Sequence, residues 1–163
     1  MPADRASMTY HIDNQVVDSD NKVAGKIYVS EVIVSSSELL ALAATAKELV
    51  AAPGSDRVLE FISASIKYNY GTVVYTESSD DMVIEYSGGQ DVTVAIDSTN
   101  FIDQSNDEIR IIPFSVATMA VTVDLEALKN TSLQLFIPND SPTLGDGTLT
   151  VRTTYRIHDF SSY

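Results

Sequence analysis

The chain has 163 residues with no Cys and no Trp, and sets 10 basic against 23 acidic side chains for a formal net charge of −13 at pH 7. That length suits one domain, which buries roughly 70% of its unfolded-chain surface without help from a disulfide or a metal. The missing Cys excludes thiolate nucleophiles, redox chemistry and Cys-ligated zinc, while acidic charge spread along the whole chain repels nucleic-acid backbones and anionic membranes.

Residues 1–22 are polar and acidic, with isolated apolar residues at Met8, Tyr10, Ile12, Val16 and Val17. They lack the basic start and apolar core of a secretory signal, so synthesis in the cytoplasm of the producing cell is expected. Residues 1–26 are expected to form an N-terminal arm, and residues 27–163 a single β domain. Ile27 to Val34 reads as a strand, and Ser35-Ser36-Ser37-Glu38 has capping-box spacing ahead of Leu39, Leu40 and Leu42, which predicts a short helix. That apolar run, Leu39 to Ala44, is far too short to span a membrane.

Thr45 to Gly71 reads as two apolar strands folded into a hairpin over Ala51-Ala52-Pro53-Gly54, because Pro fixes φ and Gly accepts positive φ. After the turn, Val58, Ile62, Ala64, Ile66, Tyr68 and Tyr70 fall at alternate positions, with Glu60 breaking the series, which predicts one apolar face. Met82, Ile84 and Tyr86, the turn Ser87-Gly88-Gly89, and Val92, Val94 and Ile96 predict a second hairpin. Asn100 to Glu108 is polar apart from Phe101 and Ile102, and Ile109 to Phe114 is apolar but broken by Pro113. Met119, Val121, Val123 and Leu125 alternate, Asp124 to Lys129 fits one helical turn, and Leu133, Leu135 and Ile137 supply a short strand. Pro138 to Gly147 is a loop by composition. In the last strand, Thr148 to Phe160, Leu149, Val151, Tyr155 and Ile157 alternate with Thr150, Arg152, Thr154, Arg156 and His158. About eight short strands with almost no helix predict an all-β fold, either a two-sheet jelly-roll sandwich or a barrel.

No catalytic constellation accompanies these elements. His11 and His158 are the two histidines, too few for a histidine-based metal site unless both converge. Asp80 with Asp81, and Asp103, Asp107 and Glu108, are the densest carboxylates, but the D-x-[DN]-x-[DN]-G calcium pattern is absent and solvated loop charge is the expected role. Ser87-Gly88-Gly89 lacks the Lys and the helix of a phosphate loop. Asn130-Thr131-Ser132 matches a glycosylation acceptor that arises often by chance. Tyr68, Tyr70, Tyr75 and Tyr86 offer aromatic faces for stacking on sugar rings, although tyrosines at core edges give the same pattern. Neither a catalytic residue nor a metal ligand nor a cofactor is assigned.

The order TAKELVAAPGSDRVLEFISASIKYNYGTVVYTES, then FIDQSNDEIRIIPF, then LTVRTTYRIHDF resembles the small jelly-roll virion proteins of tailed bacteriophages, over roughly residues 35–160. The resemblance rests on the APG turn, the Tyr-Gly after the long strand, the FID segment and the terminal Y-R-I-H. It implies a non-enzymatic capsid decoration, or cement, protein: a homotrimer on the outer surface of the virion, bound to the major capsid protein across capsomer boundaries. Tyr10, Ile12, Val16 and Val17, outside the similarity, are the expected partner-docking residues of the arm, since a segment too polar to form its own core can order on a partner. The alternative is a receptor- or glycan-binding tail-fibre or tailspike module that works through Pro138 to Gly147.

Overall fold

The computed structural model describes residues 26–76, 80–115 and 124–161. Among these residues ten strands follow one another as β1 (Ile27–Val34), β2 (Lys47–Val50), β3 (Arg57–Asn69), β4 (Tyr75–Thr76), β5 (Val83–Tyr86), β6 (Gln90–Asp91), β7 (Glu108–Pro113), β8 (Leu133–Phe136), β9 (Thr143–Leu144) and β10 (Thr148–Asp159). Two single-turn helices join them, α1 (Ser36–Leu39) and α2 (Leu125–Leu128). Both occur where local sequence favours them. Ser35 and Glu38 complete the capping box on α1, and Asp124 caps α2 by accepting from the Glu126 amide.

The strands form two four-stranded antiparallel sheets, ordered β1-β10-β3-β7 and β2-β8-β5-β6, with β4 and β9 as a separate short pair. Among the eight main strands the first pairs with the last, β2 with β8, β3 with β7, and β5 with β6. This nesting of antiparallel pairs is the wrap of a jelly roll, an all-β sandwich rather than a closed barrel. Apolar side chains from both sheets meet between them: Val34, Ile66, Tyr68, Leu149 and Val151 from the first, Ile84, Tyr86, Leu133 and Leu135 from the second.

Two details differ from the sequence-based expectation. Thr45 to Gly71 is not a hairpin, because β2 pairs with β8 while β3 pairs with β10 and β7 in the other sheet. Pro53-Gly54 turns the chain from one layer to the other instead of folding two strands together. Gly54 adopts φ +99°, and its amide is held at 3.0 Å by the Asn130 side chain. The apolar face of β3 also changes parity. The register with β10 passes from Ser63 to Phe61, skipping Ile62, so Leu59 and Phe61 are buried before the break and Ala64, Ile66 and Tyr68 after it. Ile62 is therefore a half-buried bulge residue and not a core position. Glu60, the exception in the series, lies beside Arg156 and His158 on the outer side.

The glycine-turned hairpin after Met82 is present, with Tyr86↔Gln90 and Glu85↔Asp91 paired and a bridge from Met82 to Ile96. Its return strand is only two residues long. The alternating stretch from Met119 to Val123 lies outside the described residues, and Leu125 opens α2.

Candidate interaction surface

The outer face of the β1-β10-β3-β7 sheet is built from rows fixed by the strand register. One row runs Val29, Thr154, Ser63, Pro113; the next Glu31, Arg152, Ser65, Ile111; the next Ile33, Thr150, Lys67, Ile109. The two central strands thus present Thr, Ser, Arg and Lys, while both edge strands present columns of large apolar side chains. Ile27, Val29 and Ile33 on β1, and Ile109 and Ile111 on β7, account for five of the twelve exposed large hydrophobics among the described residues, Val29 at 64% and Ile111 at 69% exposure. Scattered apolar side chains are ordinary on a protein surface, but columns along both borders of one sheet mark an interaction face.

The charges on this face cancel. Arg152 pairs with Glu31, Arg156 with Glu60 at 3.2 Å, and Lys67 with Asp107 at 2.7 Å, while Arg57 and Asp159, 3.2 Å apart at the strand ends, share the opposite parity with Leu59 and Ile157. Three cations against three anions leave the net charge of −13 to the rest of the molecule. The side chains of Ser161 and Arg57, with the Ser161 amide, hold the Asp159 carboxyl down at about 2.

The remaining sequence-based candidates occupy other settings. Tyr10, Ile12, Val16, Val17 and His11 lie outside the described residues. His158 Nε2 sits 2.8 Å from Glu60 Oε2, and its ring stacks on Phe160 with centroids 6.2 Å apart. The tyrosines do not form a sugar platform: Tyr68, Tyr75 and Tyr86 are buried. Burial pushes the hydroxyls of Tyr75 and Tyr86 up to about 12. Tyr86 donates to the Leu59 carbonyl, Tyr75 to that of Gly147, and Tyr68 packs edge-on against Tyr75 and Phe101.

The carboxylates named from sequence serve separate turns. Asp103 accepts from the Phe101 amide, Asp107 from the Tyr70 amide and Lys67, and Asp80 from the Asn139 amide. Among the described residues no group of three His, Asp or Glu side chains is arranged to hold a metal ion. No described helix is long and apolar enough to cross a membrane. A hollow of about 260 Å³ beside α1 is lined by Glu38 and Lys47, whose charges face each other at 2.5 Å. The loop over Pro138 to Gly147 is tied to the fold, because Asp146 accepts from the amides of Thr72 and Val73 and from the Thr72 hydroxyl. These bonds, the Thr72 hydroxyl foremost, lower the Asp146 carboxyl.

Sequence reasoning missed the apolar edge columns, since Ile109 to Phe114 read only as an apolar segment. The one available signal was in β1, which is apolar at positions of both parities, as a strand with one solvated polar face is not; β7 alternates Glu108-Ile109-Arg110-Ile111 and gave no such signal.

The chain matches no protein-family model and no curated protein. A solved structure similar to it is the cyanophage Pam1 capsid asymmetric unit, at a TM-score of 0.47 and 14% identity, covering 95% of this chain and 98% of that chain. At that level of similarity the jelly roll rests on the strand pairings themselves.

Proposed function

We propose that this chain is a non-enzymatic structural protein of a phage virion, and more specifically a capsid decoration protein that works as a homotrimer and stabilises the shell by binding the major capsid protein across capsomer boundaries. The observation that carries this reading is the outer sheet face, a charge-balanced surface with apolar borders on a molecule otherwise strongly acidic. Such a face suits docking on protein. The sequence resemblance to small jelly-roll virion proteins supplies the kind of partner. Fold alone does not decide among virion, lectin and enzyme roles, because jelly rolls serve several.

In this reading residues 1–26 act as an arm, with Tyr10, Ile12, Val16 and Val17 docking on a neighbour in the shell. Several weak contacts per oligomer then act together at high effective concentration, so attachment is tight while the lattice is intact. Co-sedimentation with purified capsids of the parent phage tests the reading. The full chain is expected to pellet with capsids and to raise their melting temperature, and deletion of residues 1–22 is expected to weaken pelleting without changing the melting of the free protein. Failure of the full chain to pellet, together with selective binding on a glycan array, overturns the reading in favour of a receptor-binding module.

A further inference from the structure

We propose that copies of this chain join head to tail through the two borders of one sheet, the β1 edge of one copy pairing with the β7 edge of the next. This deepens the homo-oligomer named above and does not depend on the capsid.

Both edges are unpaired by any described strand, since β1 and β7 end the order β1-β10-β3-β7. An edge strand exposes a row of backbone donors and acceptors that templates pairing with another chain unless something blunts it. Here the blunting is slight. Pro113 removes one donor from the end of β7, leaving Glu108 to Ile112 able to pair.

Strand direction fits the junction. Four strands that alternate in direction leave β1 and β7 antiparallel to each other. A second copy placed beside the first in the same orientation therefore sets its β1 antiparallel to the first copy's β7, and the antiparallel pattern continues unbroken. The same placement brings the outward column of Ile27, Val29 and Ile33 beside that of Ile109 and Ile111. Across a newly paired edge such side chains stand about 5 Å apart and pack as cross-strand neighbours.

The occupant is a second copy for two reasons. Copies carrying −13 repel one another, and approach is easiest at the borders of the face whose three ion pairs cancel. A head-to-tail junction also gives both apolar columns a cross-strand neighbour at once in a closed ring, whereas any occupant of one border alone leaves the other column without one. A two-fold pairing of β1 with β1 leaves β7 bare as well. It also sets Glu31, near the middle of β1, close to its own copy, and like charges facing across strands are destabilising. Heterologous contacts of this kind close into rings when the rotation between copies allows.

The test is light scattering coupled to size exclusion, on the full chain at micromolar concentration. The wild type is expected at a multiple of 17.7 kDa. Val29→Lys and Ile111→Lys each put a charge into one column at an exposed position, and each is expected to run at the monomer mass with an unchanged circular-dichroism spectrum. Val94→Lys, at an exposed site outside both sheets, is expected to keep the wild-type mass. An equal mixture of the first two variants retains one sound β1 edge and one sound β7 edge, so it is expected at twice the monomer mass. A monomeric wild type, self-association of either single variant, or a mixture that stays monomeric overturns the proposal. A chain that is monomeric in solution yet pellets with capsids overturns the junction and leaves the capsid reading standing, so the two failures are separable.

Discussion

Inside the core, the Tyr75 hydroxyl donates a 2.6 Å hydrogen bond to the Gly147 carbonyl, 72 residues along the chain. The Tyr75 ring also occupies the space that a side chain at Gly145 would need, and Gly145 has φ +77°. A Cβ at Gly147 would come within 2.5 Å of the Tyr68 ring and 2.8 Å of the Asn69 carbonyl. The loop after Pro138 is thus fixed to the sandwich by two tyrosines, of which the sequence pattern placed Tyr68 alone on an apolar strand face.

Tyr75→Phe leaves the buried Gly147 carbonyl without its partner, a loss of about 1–3 kcal/mol. Urea unfolding is expected to show a lower midpoint at constant slope. Gly147→Ala is expected to cost at least as much, because Tyr68 and the Asn69 backbone must both move.

The bulge in β3 predicts an asymmetry between neighbours. Phe61→Ala removes a buried ring and is expected to cost about 3–5 kcal/mol, whereas Ile62→Ala, at the half-buried bulge, is expected to cost no more than about half of that. Lys67→Ala breaks an exposed pair with Asp107 and is expected to change stability by less than about 1 kcal/mol. Chemical denaturation of the three variants checks the order. Equal losses at Phe61 and Ile62 would place the register break elsewhere.

Glu85 is buried directly across from Asp91, and burial, more than Asp91, raises its carboxyl above the ordinary 4.5, against the lowering effect of the Gln134 hydrogen bond. The folded chain therefore holds this proton to higher pH than the unfolded chain does. Its contribution is full below 4.5 and is lost as pH rises through the raised value. Glu85→Gln is expected to stabilise the protein at pH 7 by on the order of 1 kcal/mol and to give no gain at pH 4. Denaturation midpoints at the two pH values provide the readout.

Glu38 has the opposite sign. Lys47 first, then the Ser35 amide and hydroxyl, hold its carboxyl down at about 2, so its stabilisation is present above the unfolded value of 4.5 and fades as pH falls toward 2. The side chain is partly exposed, so the effect is small. Melting curves of wild type and Glu38→Gln are expected to differ at pH 6 and to converge by pH 2. A constant gap would assign the effect of the substitution to packing.

Local signals in the sequence were legible where one residue type has one physical use. Ser35 with Glu38 announced α1, Ser87-Gly88-Gly89 turned a real hairpin, and Ile27 to Val34 was a strand. Pairing partners were not legible at Pro53-Gly54, because turn chemistry is the same whether the flanking strands pair with each other or pass into different sheets. Nor was the register break at Ile62, since the apolar residues on either side of it satisfy both parities. The interaction face was hidden for a related reason. Ile109 and Ile111 are apolar like the core, and only their pairing with the outward-facing Lys67 and Ser65 of β3 makes them exposed.

The pairing of β1 with β10 also has a consequence in time. The residues that Ile27 to Val34 pairs with, Leu149 to Arg156, come off the ribosome on the order of ten seconds after it at roughly 5–20 residues per second. Until then β3 lacks its central neighbour as well, because β10 lies between them. The sheet that bears the exposed columns therefore closes only once Leu149 to Arg156 have been made, and the nascent chain shows both columns and unpaired strands together. A fold so dependent on its last strand is slow to nucleate and open to wrong partners while it waits. A truncation inside Thr148 to Asp159 removes the middle of the sheet and not merely its end.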